Sequence, residues 1–376
     1  MINKQIIIDM KRSLFIIATA ALIVGCASND VKDDIVNQEI PIGFSNINVG
    51  KKTKANAGEI NSKTALEQDG NTMKVWGWKT YNNTPTKVFD GTTVTYNSSS
   101  SQSTTNWEYS PLKYWDFAAS YDFYAVAPHS KFSINETTKI ISASSVEAVQ
   151  ILADNNGTDK VTSSTAIDYL VAATVHKDAP KGNASDGDVE FTFSHILSKL
   201  AVKVKTTDSF ANEGSNYPQI KLTDLSIKLQ GMCPSYTQKT AGAVNSSSTD
   251  GDTWSGTAMA ATSYTCFDAD GTTVTDLLLN ATANEIASYL VAPTATGATP
   301  ATYTYTATVE YDIYYSATAN DKEHFVATDK QISTLTKFGQ NTSNTLTITI
   351  DPQALFFDVK TLNDWTNGLD GTLTVE

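Results

Sequence analysis

The chain has 376 residues with 27 basic and 40 acidic side chains, a net charge of −13. That balance excludes nucleic acid as a partner, because phosphate binding needs clustered Lys and Arg, and Arg12 is the sole arginine. Only 18% of residues are charged, and the abundance of Thr, Ser, Asn, Ala and Tyr suits half-exposed β-faces and the turns between them.

The N-terminus comes first. Lys11 and Arg12 form a short basic stretch, Leu14 to Val24 is an apolar run, and Ile23-Val24-Gly25-Cys26 closes it. The run is too short to span a membrane stably. An ordinary secretory signal would share the basic and apolar parts. The Gly-Cys that ends this one points to a lipoprotein signal peptide over 1–25, with diacylglycerol on the Cys26 sulfur. Met10 directly precedes the basic pair and is an alternative start. Removing residues 1–25 takes away three basic side chains and one acidic one, moving the net charge to −15. About 350 remaining residues suggest two domains of ordinary size.

Residues 26–37 read as a polar tether. Its Asp30, Asp33 and Asp34 are either an acidic surface-export signal or a solvated linker. Period-two alternation then dominates. Ile40, Ile42 and Phe44 share one face of a first strand, while Ile47 and Val49 sit in the opposite phase. The switch predicts a β-bulge or a break between Phe44 and Ile47. Further strands are expected at Val75–Trp78, Tyr121–Val126, Ile167–Ala172, Val189–Phe193 and Leu200–Val204. The second half adds Ile220–Leu229, with a phase slip near Asp224, then Glu285–Val291, Thr302–Tyr315 and Leu346–Ile350. In Thr302–Tyr315 the odd positions are apolar or aromatic and the even ones begin as a run of Thr. Gln331 to Phe338 is the one candidate short helix. Many strands without interleaved helices argue for an all-β fold of antiparallel sandwiches. Pro180, Gly182 and Gly187 mark a linker, which places one domain over 38–185 and another over 186–376.

Chemistry has little to stand on. His129, His176, His195 and His324 fit no metal-site spacing and flank no nucleophile motif, and no Gly-rich phosphate loop is present. The expectation is no catalytic residue, no metal and no cofactor. His195, at a strand junction, reads as a capping or packing side chain. Asp154–Asp159 and Asp268–Gly271 place oxygen ligands in Ca²⁺-loop-like order but lack the downstream Glu, so they read as turns. Cys233 and Cys266 are the two cysteines beyond Cys26. A disulfide and two unpaired thiols are both open readings. Trp76, Trp78, Tyr81, Trp107, Tyr109, Tyr114, Trp115, Tyr121, Phe123 and Tyr124 are either core or, if exposed, stacking platforms for sugars.

Several segments together resemble the fimbrillin family of type V pilins and pilin-like lipoproteins. They are Ser110-Pro111-Leu112-Lys113-Tyr114-Trp115, Tyr121–Pro128, Ile167–Ala172, Phe191–Leu200, Glu285–Pro293, Asn344–Ile350 and Trp365. The resemblance covers essentially the whole chain after Cys26. It implies two tandem β-sandwich domains of transthyretin-like type, exported as a lipidated precursor held on the outer membrane through Cys26. It also implies a location at the cell surface or in a pilus. In such pilins a protease removes the first strand, and a strand from the next subunit fills the groove by β-addition. Ile40, Ile42 and Phe44 would then be the displaced core face. Leu373 and Val375, in the C-terminal Gly371–Glu376, are the candidate donor strand.

One departure matters. Family stalk subunits commonly carry an Arg at the cut, whereas this chain offers Lys51, Lys52 and Lys54. Either a Lys-directed protease acts, or the protein is an uncleaved anchor, tip or free-standing surface protein. The function expected is therefore a structural subunit or accessory adhesin of a surface pilus, not an enzyme. Its partners are other pilus subunits and a host-surface glycan or protein. The first rival is a monomeric surface glycan-binding lipoprotein, which exposed aromatics in a row would favour. The second is an envelope hydrolase, which a pocket of converged carboxylates would favour.

Overall fold

The computed structural model describes residues 39–49, 59–100, 105–128, 130–154, 166–180, 187–207, 217–243, 252–269, 275–296, 303–351 and 354–363. Its one described helix is α1 (Lys63–Leu66). The first strands are β1 (Phe44–Val49), β2 (Thr72–Tyr81), β3 (Thr84–Tyr96), β4 (Trp107–Glu108) and β5 (Ser120–Ala127). Next come β6 (Phe132–Ile134), β7 (Ile141–Ala143), β8 (Val149–Asp154), β9 (Leu170–Ala172), β10 (Val175–Asp178) and β11 (Val189–His195). The rest are β12 (Ser198–Thr206), β13 (Gln219–Leu229), β14 (Ser235–Thr237), β15 (Thr253–Ser255), β16 (Thr262–Asp268) and β17 (Leu277–Leu278). β18 (Asn284–Val291), β19 (Thr306–Tyr314), β20 (Lys322–Gln331), β21 (Thr342–Asp351) and β22 (Ala354–Asn363) complete the chain. The fold is all-β, as the alternation predicts.

An eight-stranded sheet runs β1-β11-β9-β5-β2-β3-β4, with β10 also on β5. Its two edges meet, because the chain beyond β4 bonds at Lys113 and Trp115 to Ile42 and Ile40, just ahead of β1. One face encloses a core of Phe44, Met73, Val75, Phe89, Phe123 and Phe191. The other face of β2 and β5 presents Trp76, Trp78, Tyr124 and Val126 to a second core. Strands buried on both faces read as unbroken apolar runs rather than alternations, which is how Val75–Trp78 and Phe123–Val126 read. Gly77 lies between two buried neighbours where a Cβ would press on Phe89 and Phe123.

The second core is a sandwich. Sheet β22-β21-β12-β18-β8 supplies Leu200, Val202, Val204, Leu346 and Ile348, and sheet β16-β13-β19-β20 supplies Leu222, Leu225, Ile227 and Val309. A smaller sheet, β15-β14-β7-β6, adds Tyr236 and Trp254. Pairing is antiparallel throughout the described strands except for β1 with β11 and β12 with β21.

Three sequence expectations can be set against the strand pairing and burial. Strand pairing does not divide at 185/186. β11 lies within the sheet of β1 to β5, while β7 pairs with β14 and β8 with β18, so strands cross that boundary in both directions. Gln331–Phe338 is not a helix. Beyond β20, Ile332, Leu335 and Phe338 are buried from an irregular segment pinned by Ile332 N–H to Tyr305 O and by Thr294 N–H to Phe338 O. The expected strand 302–315 is shorter, Thr306–Tyr314, although Tyr305, Ala307, Val309, Tyr311 and Ile313 are all buried. The two phase switches do coincide with register irregularities, between Ser45 and Asn48 in β1 and between Leu222 and Asp224 in β13.

Candidate functional site

The first strand is the most unusual element of the eight-stranded sheet. Extended backbone from Ile40 sends alternate side chains to opposite faces, so Ile40, Ile42 and Phe44 are buried while Pro41 is exposed. On one flank the Ile42 N–H donates to Lys113 O at 2.8 Å and the Trp115 N–H donates to Ile40 O at 3.0 Å. On the other flank the Val189 N–H donates to Gly43 O at 2.8 Å, and from Phe44 onward β1 pairs in parallel with β11. The irregularity after Ser45 resets the phase so that Ile47 is buried as well.

Phe44 sits at the centre of an aromatic cluster. Its ring stacks on Phe191 at 5.9 Å and meets Phe89, Tyr109 and Phe123 edge-on at 5.6, 5.6 and 6.4 Å. Such pairs add about 0.5–1.5 kcal/mol each beyond the area they bury. The Tyr109 hydroxyl donates to Ile42 O at 2.7 Å. Burial pushes its pKa up to about 12, so it stays a neutral donor at any ordinary pH. Gly43 allows a close approach, since a Cβ there would collide with the Asp188 carboxyl. That carboxyl is raised above its ordinary 3.8, chiefly by burial. A hydrogen bond from Ser45 and the charge of Lys177 oppose the shift, and Glu190 adds to it.

The remaining sequence candidates are scattered. Cys26, Lys51, Lys52, Lys54, Leu373 and Val375 lie outside the described residues. No bridge joins Cys233 and Cys266; both are buried thiols. The Cys233 sulfur faces the carbonyls of Gly231 and Gly256, and burial raises its pKa. Cys266 lies where the β13–β16 register slips, and it accepts a 3.4 Å hydrogen bond from the Tyr289 hydroxyl. The two sulfurs serve different neighbourhoods. Of the ten aromatics that could have been platforms, all but Tyr81 and Tyr114 are buried, the exceptions being 51% and 44% exposed. They are core.

Three histidines each meet a carboxylate, His176 with Asp122, His195 with Asp168 and His324 with Asp312, and His129 lies outside the described residues. Among the described residues, no group of three His, Cys, Asp or Glu side chains is placed to hold a metal. One constellation escaped the sequence reading. Glu59 and Lys199 form a buried ion pair at 2.7 Å, and Asp168 bridges His195 to the backbone of Ile60. Its only sequence signal was charge inside apolar runs, Asp168 between Ile167 and Tyr169 and Lys199 before Leu200.

No curated protein matches the chain. Among solved structures it is similar to a fimbrial protein from Bacteroides vulgatus, at 17% identity and TM-score 0.48, over 85% of this chain and 99% of that one. It is also similar to the tip fimbrial protein Mfa3 from Porphyromonas gingivalis, at 11% identity and TM-score 0.32, over 83% of this chain and 97% of that one. A fimbrillin-like family model matches residues 53–365, which is most of the sequence, and the chain belongs to that family.

Proposed function

We propose that the protein is a structural subunit or accessory adhesin of a cell-surface pilus. It is exported as a precursor lipidated at Cys26 and assembled by exchanging its first strand for a strand of a neighbouring subunit. The seat of the first strand carries this reading. A ten-residue segment fills the core from the seam of a sheet, with Phe44 inside a cluster supplied entirely by other strands and loops. Lys51, Lys52 and Lys54 follow that segment at once.

Cutting among these lysines leaves the segment held by non-covalent contacts alone. Its departure exposes the pockets of Ile40, Ile42, Phe44 and Ile47, each worth roughly 1.5–3 kcal/mol of burial. It also frees backbone groups on both flanks. An incoming strand with alternating apolar residues restores both, and Leu373 and Val375 are the candidate knobs of that strand.

The test cuts the purified precursor with a Lys-specific protease and follows size and melting temperature. High-order oligomers that disappear on deleting 371–376 are expected. A stable monomeric cut product would make the protein a solitary surface lipoprotein. Lipidation is tested separately: Cys26→Ala should move the protein from the membrane to the soluble fraction, and unchanged membrane association would refute the anchor.

A further inference from the structure

The strand-exchange reading raises the question of what stops the chain from unravelling once its first strand has gone. α1 lies against β1, and its Leu66 is buried in the same core as Phe44. Departure of β1 therefore removes one of the supports of α1 and of the chain leading to β2.

Two polar contacts hold this stretch independently of β1. The Glu59 carboxylate is completely buried and meets the Lys199 ammonium, 7% exposed, at 2.7 Å. One residue on, the Ile60 N–H donates to Asp168 Oδ2 at 3.0 Å, and Asp168 Oδ1 lies 3.0 Å from His195 Nδ1, with both side chains buried. Asn61 is buried too, and Ser62 then caps α1 by accepting from the Ala65 N–H. The partners in these two contacts come from the far end of β11, the start of β12 and the approach to β9.

Buried ion pairs contribute little net stability because desolvation offsets their attraction. What they supply is position, since a buried charge stripped of its partner is strongly penalised. An apolar contact would tolerate a slip of this segment, whereas Glu59 opposite Lys199 does not.

We propose that Glu59, Lys199, Asp168 and His195 form a polar lock that sets the limit of N-terminal processing. The chain before residue 59 is expendable, and the chain from Glu59 onward stays docked when β1 leaves. The proposal rests on the strand-removal reading, and its test separates the two.

The full-length protein is digested briefly with a Lys-specific protease, and the new N-termini are read by mass spectrometry. Lys63, on α1, has a side chain 44% exposed, so it reports whether the local backbone opens. In the wild type, cuts are expected after Lys51, Lys52 or Lys54 and not after Lys63. Glu59→Gln, and the double variant Glu59→Gln with Lys199→Met, should be cut after Lys63 roughly tenfold faster, since cleavage follows the population of the opened form. The double variant leaves neither charge stranded, and unchanged amide exchange in β12 and β21 confirms that it is folded. Equal cutting after Lys63 in wild type and variants would overturn the lock while leaving strand removal standing. A wild type never cut among Lys51, Lys52 and Lys54 would overturn strand removal, with the Lys63 comparison still judging the lock.

Discussion

The two parallel strand pairs look alike in topology and differ in how they are held. β1 meets β11 through four register pairs interrupted by an irregularity, and among the described residues its other flank is bonded through the residues just ahead of it. β21 meets β12 through eight uninterrupted pairs, Lys199↔Ser343 to Thr206↔Ile350, and is bonded along its full length to β22 on the other side. Inside that second seam Asn344 is fully buried. Its Nδ2 donates to Ser198 Oγ at 2.8 Å, and its Oδ1 accepts from Thr361 Oγ1 at 2.7 Å. The comparison separates two ways of fixing a strand. β1 is fixed by side chains entering pockets, so another strand with similar knobs can substitute. β21 is fixed by backbone ladders and a polar network on both flanks, so nothing short of opening the sheet removes it.

Substitutions in the two seams should therefore act differently. Phe44→Ala is expected to have the largest effect, about 3–5 kcal/mol for a buried aromatic truncated to Ala, measured by denaturant unfolding. Amide exchange should accelerate in β1 and at residues 113–115 well before β12 and β21 respond. Equal loss of protection in β21 would erase the distinction. Asn344→Ala should cost about 1–3 kcal/mol, because it strands the buried partners of the amide. Here exchange should rise across β12, β21 and β22 together.

Tyr109→Phe is milder, about 0.5–1.5 kcal/mol, mostly from the short hydrogen bond to Ile42 O. It keeps the ring against Phe44 and deletes the short bond to Ile42 O and the 3.3 Å contacts with the Lys113 backbone, so exchange in the first strand and at residue 113 reports it best. Asp188→Asn tests electrostatics at Gly43, and the sign follows from linkage. The folded carboxyl titrates above 3.8, so the folded state holds its proton to higher pH than the unfolded chain. Stability is full below 3.8 and falls as pH rises through the folded value. The variant should melt like wild type at pH 3 and higher than wild type at pH 7. A gap that shrinks with rising pH would contradict the raised pKa.

Much of the fold was legible because half-buried strands write their faces into the sequence. Val189, Phe191 and Phe193 alternate with the exposed Glu190 and Thr192, and Leu346, Ile348 and Ile350 alternate with Thr. What escaped was long-range. Nothing local in Val149–Asp154 says that it pairs with Asn284–Val291, across the expected boundary at 185/186. Ile332, Leu335 and Phe338 imitate a helical spacing although the core buries them from an irregular chain. At the candidate site, the apolar face of Ile40, Ile42 and Phe44 was plain in the alternation. The lock was not, because Glu59 and Lys199 stand 140 residues apart and only the fold brings them together.

β2 and β5 carry a different core on each face, and this leaves a mark that natural variation can display. In β2, Met73 and Val75 answer to one interior and Trp76 and Trp78 to the other; in β5, Phe123 and Ala125 stand back to back with Tyr124 and Val126. A change of volume at Val75 can be absorbed only by residues lining the Phe44 interior, and a change at Trp76 only by those around Tyr124. Across family members, positions of equal parity in these two strands should therefore co-vary, while adjacent positions drift independently of one another.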